Sequence, residues 1–309
     1  MSTPPVLPPS MRVFERGWLS ANNVLFIDDA TQDTALVDTG YVTHAAQTVA
    51  LVAAALDGRP LRWVINTHLH SDHCGGNAAL QARWQPRTSI PAAEAAAVSD
   101  WDDDALSYAA TGQQCARFTF DAVLRDGDRL TLGGIVWQVM AAPGHDPHAV
   151  ILFASEPRIL ISGDALWENG FGVIFPELDG ESGFAEQAAI LDQIDALDAR
   201  IVIPGHGRVF DDVHGAVARA KSRLEYLRGD PLRNATHATR VLMKFRLLEA
   251  QALPRDVLFA WMSTTPLMQR MHARFMPGQP IEAIFDQTLQ ALARVGALVL
   301  EGEQVINRD

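Results

Sequence analysis

The run Thr67-His68-Leu69-His70-Ser71-Asp72-His73-Cys74-Gly75-Gly76 holds three imidazoles and a carboxylate between an apolar stretch, Trp63-Val64-Ile65, and a pair of glycines. Asp is mostly exposed in proteins and His only intermediate in burial, so crowding them after an apolar strand points to metal ligands carried on a loop. Alternate side chains of extended backbone share a face, which lets His68 and His70 meet one ion. Asp72 and His73 follow once the chain has turned and point elsewhere, so one loop can serve two metals. Three further candidates stand beside a glycine at the end of an apolar run: His145 in Ala142-Pro143-Gly144-His145, Asp164 in Ile161-Ser162-Gly163-Asp164, and His206 in Ile203-Pro204-Gly205-His206. Glycine permits a sharp turn and close approach where a strand ends, and loops over a rigid sheet are where α/β proteins carry their chemistry.

Taken in order, these residues match His-x-His-x-Asp-His followed by His, Asp and His, and in this the chain resembles the metallo-β-lactamase-fold hydrolase superfamily over residues 11–212. The resemblance implies an α/β fold, a four-layer αββα sandwich, holding two divalent metal ions, zinc first with manganese or iron as options. It implies His68, His70 and His145 on the first ion, Asp72, His73 and His206 on the second, and Asp164 bridging both. Asp38, in Ala35-Leu36-Val37-Asp38-Thr39-Gly40, matches an acid expected to support the ligand loop, with closing a turn as the equal alternative. Where glyoxalase II enzymes carry a Gly-Lys or Gly-Arg that contacts glutathione, this chain has Gly172-Val173, which weakens a glutathione thioester as substrate. Where acyl-homoserine lactonases carry a tyrosine, it has Trp167, which can donate through its indole N–H but cannot act as a phenol. Trp167, Phe171 and Phe175 are candidates to line an acyl or aryl pocket, and core packing is the equal alternative for each. The continuation Asp146-Pro147-His148-Ala149 departs from the Thr-Pro-Gly-His of many relatives and leaves His148 first of all an ordinary turn histidine. His44, His214, His237 and His272 show no ligand spacing, and Cys74 reads as a small buried thiol under the loop.

Five neutral imidazoles and two carboxylates leave two divalent ions under-neutralised, so a shared water is expected to lose a proton near neutral pH and act as the nucleophile. Asp72 and Asp164 are then the catalytic carboxylates, Asp72 as proton relay to the leaving group and Asp164 sharing that task. The function expected is hydrolysis of an ester, thioester or lactone carbonyl of a small molecule. A phosphodiesterase or ribonuclease of the same fold is the runner-up, and an iron-dependent redox enzyme the third reading. Charge bears on the second: the chain carries −12, yet residues 215–280 hold eleven Lys and Arg against four Asp and Glu. Arg219, Lys221, Arg223, Arg240, Lys244 and Arg246 could hold an anionic substrate or a nucleic-acid backbone. Solvated helix faces and contacts with the protein's own acids are the plainer reading, so nucleic acid is disfavoured as a partner. A homodimer is left open.

The elements that must position these residues follow from periodicity. Short apolar or alternating runs at 11–15, 23–27 and 34–37 predict a meandering sheet, His44 to Leu56 a helix stopped at Asp57-Gly58, and Leu61 to Asn66 the strand that delivers the ligand loop. A helix is expected after Gly76, and another over Ala92 to Cys115, with an exposed acidic turn around Asp102-Asp103-Asp104 able to form a lid. Strands follow at 122–124, 129–132, 135–141, 150–153 and 159–162, then a helix near 184–197 and a strand at 201–203. Beyond Asp212 helices dominate, at 213–227, 235–252, 255–262, 267–275 and 281–295, before a closing hairpin. That ending resembles the winged-helix-like tail of some superfamily members. Residues 1–212 are thus expected to form the catalytic domain and 213–309 a helical accessory domain. At 309 residues and 48% hydrophobic content the chain can bury a large core. No run is long and apolar enough to cross a membrane and the start, Met1-Ser2-Thr3-Pro4-Pro5, lacks an export signal, so a cytoplasmic location is expected.

Overall fold

Apolar runs separated by polar turns build two sheets in a computed structural model of the chain, which describes residues 5–308; residues 1–4, part of the stretch read for an export signal, and residue 309 lie outside it. Six strands in chain order form the first sheet: β1 Met11–Phe14, β2 Asn23–Asp28, β3 Asp33–Val37, β4 Trp63–Ile65, β5 Arg87–Pro91 and β6 Ala122–Leu124. β1 to β3 are an antiparallel meander and β3 to β6 run parallel. The second sheet takes β7 Arg129–Leu132, β8 Ile135–Ala141, β9 Val150–Ala154, β10 Ile159–Gly163 and β11 Ile201–Pro204 in the order β11-β10-β9-β8-β7.

Alternation along each strand splits its side chains between two layers. Phe26, Val37 and Ile65 meet Trp137, Leu152 and Ile203 between the sheets. Leu25, Leu36 and Val64 point the other way, onto Val52 and Leu56 of helix Ala45–Leu56 and Leu80 of helix Asn77–Trp84. Ile151, Leu160 and Val202 do the same on the far side, against Ile190 and Ile194 of helix Phe184–Ala196 and Ala216, Ala220 and Leu224 of helix Val213–Arg228. The result is the αββα sandwich, each fully buried Leu or Ile contributing roughly 1.5–3 kcal/mol. β8 and β10 both run antiparallel to β9, and β11 runs parallel to β10. Their carboxyl ends therefore share one edge, as do those of β3 and β4 in the first sheet, and the loops that follow converge there.

The last third of the described chain is a second apolar cluster. Asp230 accepts the Leu232 N–H and Pro231 occupies the first turn, starting helix Pro231–Ala250. Helices Arg255–Thr264, Pro266–Phe275 and Ile281–Arg294 pack on it through Leu242, Met243, Leu258, Met268 and Phe285. β12 Ala252–Pro254, β13 Leu298–Glu301 and β14 Gln304–Asn307 close it in the order β12-β14-β13, the helix-plus-hairpin ending expected. Val173 and Leu178, from the segment after Asp164, belong to this cluster, and Asn234 donates to the Ile174 carbonyl at 3.0 Å. The helical part is thereby seated on the sandwich beside the ligand loops.

Three elements differ from expectation. The single helix over 92–115 is broken into Ala95–Asp100 and Tyr108–Thr111, with Trp101 and Ser107 left-handed at φ 55° and 64°. Asp102 accepts the N–H groups of Asp104 and Ala105, a local bond that competes with the helical ladder. β5 has no apolar alternation, yet it lies between β4 and β6, its buried Thr88 satisfied by Gln81 and Asp121. The helix expected from Ala235 starts at Pro231 because Gly229-Asp230-Pro231 is an N-cap rather than a free turn.

Candidate metal centre

Asp38 ends β3 in the left-handed region at φ 56°, where Asp is tolerated better than most residues. Its Oδ1 accepts the Thr67 N–H at 2.9 Å, while Oδ2 accepts the Thr67 hydroxyl at 2.8 Å and His73 Nδ1–H at 2.7 Å. His145 Nδ1 donates to the Val173 carbonyl and His68 Nδ1 to Thr67 Oγ1. His70 turns Nδ1 toward His145 Nε2 at 2.8 Å and leaves Nε2 3.5 Å from Asp146. Four imidazoles thus have one nitrogen held from outside and the other facing inward, which sets tautomer and ring direction together. His68 Nε2, His73 Nε2 and His206 Nδ1 are buried with no hydrogen-bond partner. An orphaned buried polar atom costs about 1–3 kcal/mol, so His68 Nε2 and His73 Nε2, which both face the centre, call for an occupant.

The inward atoms form overlapping groups, each within 4.8 Å: His68, His70 and His145; His68, His73 and Asp164; Asp72, His73 and His206. Asp164 stands between the outer two, its oxygens 3.4 Å from His73 Nε2, 3.5 Å from His145 Nε2 and 3.8 Å from His206 Nε2. Asp72 Oδ2 lies 2.9 Å from His206 Nε2. Neutral imidazole with carboxylate is a donor set that suits zinc, manganese or iron, and the residues present fit divalent ions. A side chain on Gly205 would overlap Asp164, and one on Gly172 would overlap His145, so these glycines are what allows the loops to close on the centre.

Burial, helped by neighbouring imidazoles, pushes His68 well below its usual pKa and His145 to about 4, leaving their lone pairs free at neutral pH. His73 goes the opposite way: burial lowers it, but Asp38, Asp164 and Asp72 together raise it well above the usual value. Asp164 and Asp72 are held ionised, against burial, chiefly by His73. The carboxylates around His73 attract a cation, and a metal ion can take the place of a proton there.

The centre floors a cavity of about 450 Å³, inside the range of small-molecule sites. Trp167 and Phe175 line it. Trp167 Nε1 donates to Asp164 Oδ1 at 3.1 Å, and Phe175 packs edge-on against His70 with the ring centres 5.0 Å apart. Phe171 stands apart, fully buried in the outer core of the second sheet with the Arg223 guanidinium over its ring. Two residues that sequence reasoning passed over touch the centre: Trp18 stacks on His206 at 5.4 Å, and Asp146 backs His70. Trp18 carried no local signal, whereas an acid directly after a ligand histidine was one. His148 is exposed and away from the ligand groups, and Cys74 is buried under the loop, its Sγ 3.2 Å from the Tyr108 hydroxyl. Ser107, Thr111 and Gln113, from the segment expected as a lid, form part of the rim, and helix Pro231–Ala250 forms the roof.

An αββα sandwich with histidines and aspartates gathered at one edge of both sheets defines the class. Residues 17–206 match the family model of the metallo-β-lactamase superfamily, and the chain belongs to that superfamily. The hydroxyacylglutathione hydrolase of Anaeromyxobacter dehalogenans is 32% identical over 160 residues, 52% of this chain and 52% of that one. That of Brucella anthropi is 24% identical over 270 residues, covering 85% and 88%. The chain spans about half the length of the first of these relatives. Among solved structures, a β-lactamase domain protein from Burkholderia ambifaria superposes with a TM-score of 0.59 at 21% identity, covering 99% of this chain and 96% of that one. A metallo-β-lactamase family protein from Thermus thermophilus gives 0.56 at 20% identity, with 98% and 100% covered. Both similarities run through the C-terminal helices, so the fold is shared along nearly the whole chain.

Proposed function

We propose that this protein is a dinuclear metal-dependent hydrolase that opens an ester, thioester or lactone carbonyl of a small molecule, with residues 1–212 as the catalytic unit and 213–309 as its roof. The observation that carries this reading is the set of buried, unpartnered imidazole nitrogens beside two ionised carboxylates on the floor of a largely apolar cavity. His68, His70 and His145 would hold one ion, Asp72, His73 and His206 the other, and Asp164 both. Zinc is the ion expected. Two such ions supply Lewis acidity and lower the pKa of water toward neutrality.

The chain's own residues do the rest. Asp38, Thr67, Asp146 and the Val173 carbonyl hold the imidazoles in one tautomer and direction, so little reorganisation is left for the reaction. Asp72, inward-facing and bonded to His206, is placed to take a proton and pass it to the leaving group, with Asp164 sharing the task. Trp18, Trp167 and Phe175 exclude water and hold the apolar part of the substrate. The relatives named hydroxyacylglutathione hydrolase favour a thioester; glutathione itself is not favoured, because Val173 lends only its carbonyl to His145 and its side chain to the helical core. Nucleic acid loses support: Arg219 pairs with Asp212, Lys221 with Asp192 and Arg246 with Glu249, so much of the basic region serves the protein's own acids. Among the described residues no helix is long and apolar enough to cross a membrane.

Elemental analysis of protein purified without added metal, paired with turnover of aryl esters, thioesters, lactones and bis-aryl phosphodiesters, tests this. Two equivalents of zinc with carbonyl-ester turnover is the expected result. One equivalent of iron, or activity on phosphodiesters alone, would overturn it.

A further inference from the structure

Of the eleven lysines and arginines between residues 215 and 280, seven pair with carboxylates of this chain, as Arg270 does with Asp179. Lys244 is taken up by the carbonyls of Ala297 and Arg308 and by Asn307, and Arg274 lies over the Phe275 ring away from the centre. Arg223 and Arg240 are different. Both line the cavity above the metal centre, and among the described residues neither has a carboxylate partner. Arg223 is half-buried, lies over the Phe171 ring at 5.5 Å and gives one N–H to His237 Nε2 at 2.6 Å.

Arginine keeps its proton, so His237 must be the acceptor and therefore neutral. Burial and the two arginines press its pKa down to about 3, in keeping with that assignment. The histidine orients the guanidinium without neutralising it. Taking a cation partly out of water with no counter-charge is unfavourable, and four of its five N–H donors stay available. His237, Arg240, Val241, Phe245 and Leu248 recur at helical spacing along Pro231–Ala250 and all line the cavity, so one helix face carries Arg240 beside an apolar stretch, and Arg223 joins it from helix Val213–Arg228. The cavity has a reactive floor, apolar walls and a cationic corner.

We propose that Arg223 and Arg240 form a subsite for an anionic group, carboxylate or phosphate, that the substrate carries across an apolar span from its scissile bond. This names the substrate class of the hydrolase proposed above and rests on that reading. Arginine's planar fork matches both anions, and the half-buried Arg223 guanidinium, held in advance by His237, loses little freedom when the anion arrives.

The test compares metal-loaded wild type with Arg223→Gln and Arg240→Gln on nitrophenyl valerate, the nitrophenyl half-esters of glutaric and suberic acid, and the nitrophenyl ester of phosphonobutyric acid. In the wild type a charged tail should raise kcat/KM over the neutral ester by roughly tenfold or more, through KM, and each variant should bring that ratio close to one. Arg240→Lys should retain part of it. The better of the carboxylate and phosphonate tails identifies the source of the anion. A wild-type ratio near one, or a ratio unmoved by both substitutions, overturns the subsite. Arg223 packs on Phe171, so the exposed Arg240 carries the test if Arg223→Gln fails to fold. Calorimetric titration of suberate into wild type and Arg240→Gln separates this from the parent reading. Binding weakened about tenfold in the variant with no ester cleaved sustains the subsite and removes the hydrolase; esters cleaved with no dependence on either arginine does the reverse.

Discussion

The floor and the roof of one cavity are built on opposite plans. On the floor, ionisable groups are buried and nearly every outward-facing atom is committed: Asp38 alone holds Thr67 twice and His73 once. On the roof, helix Pro231–Ala250 brings apolar side chains and Arg240 while helix Val213–Arg228 adds Arg223, and among the described residues neither arginine has a carboxylate partner. The floor hangs from strand ends of two packed sheets, whereas the roof is stabilised by its own cluster around Leu242, Met243 and Phe285. Bond-making requires groups fixed before the substrate arrives, so it belongs on rigid strand ends. Selection among substrates requires only a surface that faces the centre, and a helix with an independent core can change that surface without disturbing the chemistry below.

That contrast can be broken most directly at the floor. His68→Ala and Asp164→Ala should each strip bound metal and lower turnover by about a thousandfold or more while the circular dichroism spectrum stays native. Metal content and activity surviving in both would mean that the floor is not a metal centre. The next effect is on stability. Glu94, buried beside Asp146, has its carboxyl pushed up to about 8 from 4.5, by burial first and the charge of Asp146 second. Between those two values the folded protein keeps a proton that the unfolded chain has released, so stability falls as pH rises from 4.5 to about 8 and is level beyond. Glu94→Gln should therefore be more stable than wild type above pH 8, by on the order of a few kcal/mol, and equal to it near pH 4.5. Thermal melts at both ends check this, and a difference independent of pH would show that the carboxyl is not the source. Asp38→Asn comes third. Asparagine tolerates the left-handed backbone and keeps an oxygen for the Thr67 N–H, but it removes the charge facing His73 Nδ1. Metal affinity by chelator competition should fall about 10–100-fold. An unchanged affinity would make Asp38 a turn residue only, and the floor less committed than its hydrogen bonds imply.

The same contrast decided what could be read from residue order. The seven candidate ligands stood out because each demands a chemical type at a fixed place after an apolar run, and strand ends preserve that order in space. Asp146 and Trp18 reach the centre by different routes: Asp146 was marked by its place directly after His145, whereas Trp18 arrives across the cavity mouth with no spacing that marks it. Phe171 looked equal to Trp167 and Phe175 as a pocket aromatic, but Gly170 and Gly172 turn the chain so that it enters the outer core. On the roof, periodicity revealed helices and even the closing hairpin, yet not which face of Pro231–Ala250 meets the floor, since that depends on tertiary packing. His237 was accordingly set aside as an ordinary histidine and proves to line the cavity against Arg223. Polar β5 went unseen for the same reason: its partners Gln81 and Asp121 lie on other elements.

Trp167 sharpens the comparison, because it is a wall residue with one atom on the floor. Its ring packs edge-on against Trp18 at 5.3 Å and His206 at 5.4 Å, while its indole N–H reaches Asp164 Oδ1. Trp167→Phe keeps an aromatic surface and deletes only the donor. A hydrogen bond to a charged acceptor contributes about 1.5–3 kcal/mol, but Asp164 retains its other neighbours, so the lower end applies and turnover should fall roughly tenfold. Metal content should not change, since the ligand atoms and the groups that hold them from outside are untouched. Loss of kcat at constant metal and constant KM would place the indole among the groups that tune the Asp164 carboxylate. A rise in KM alone would return it to the wall, and loss of metal would mean that the floor depends on its walls, against the division drawn between fixed chemistry and replaceable surface.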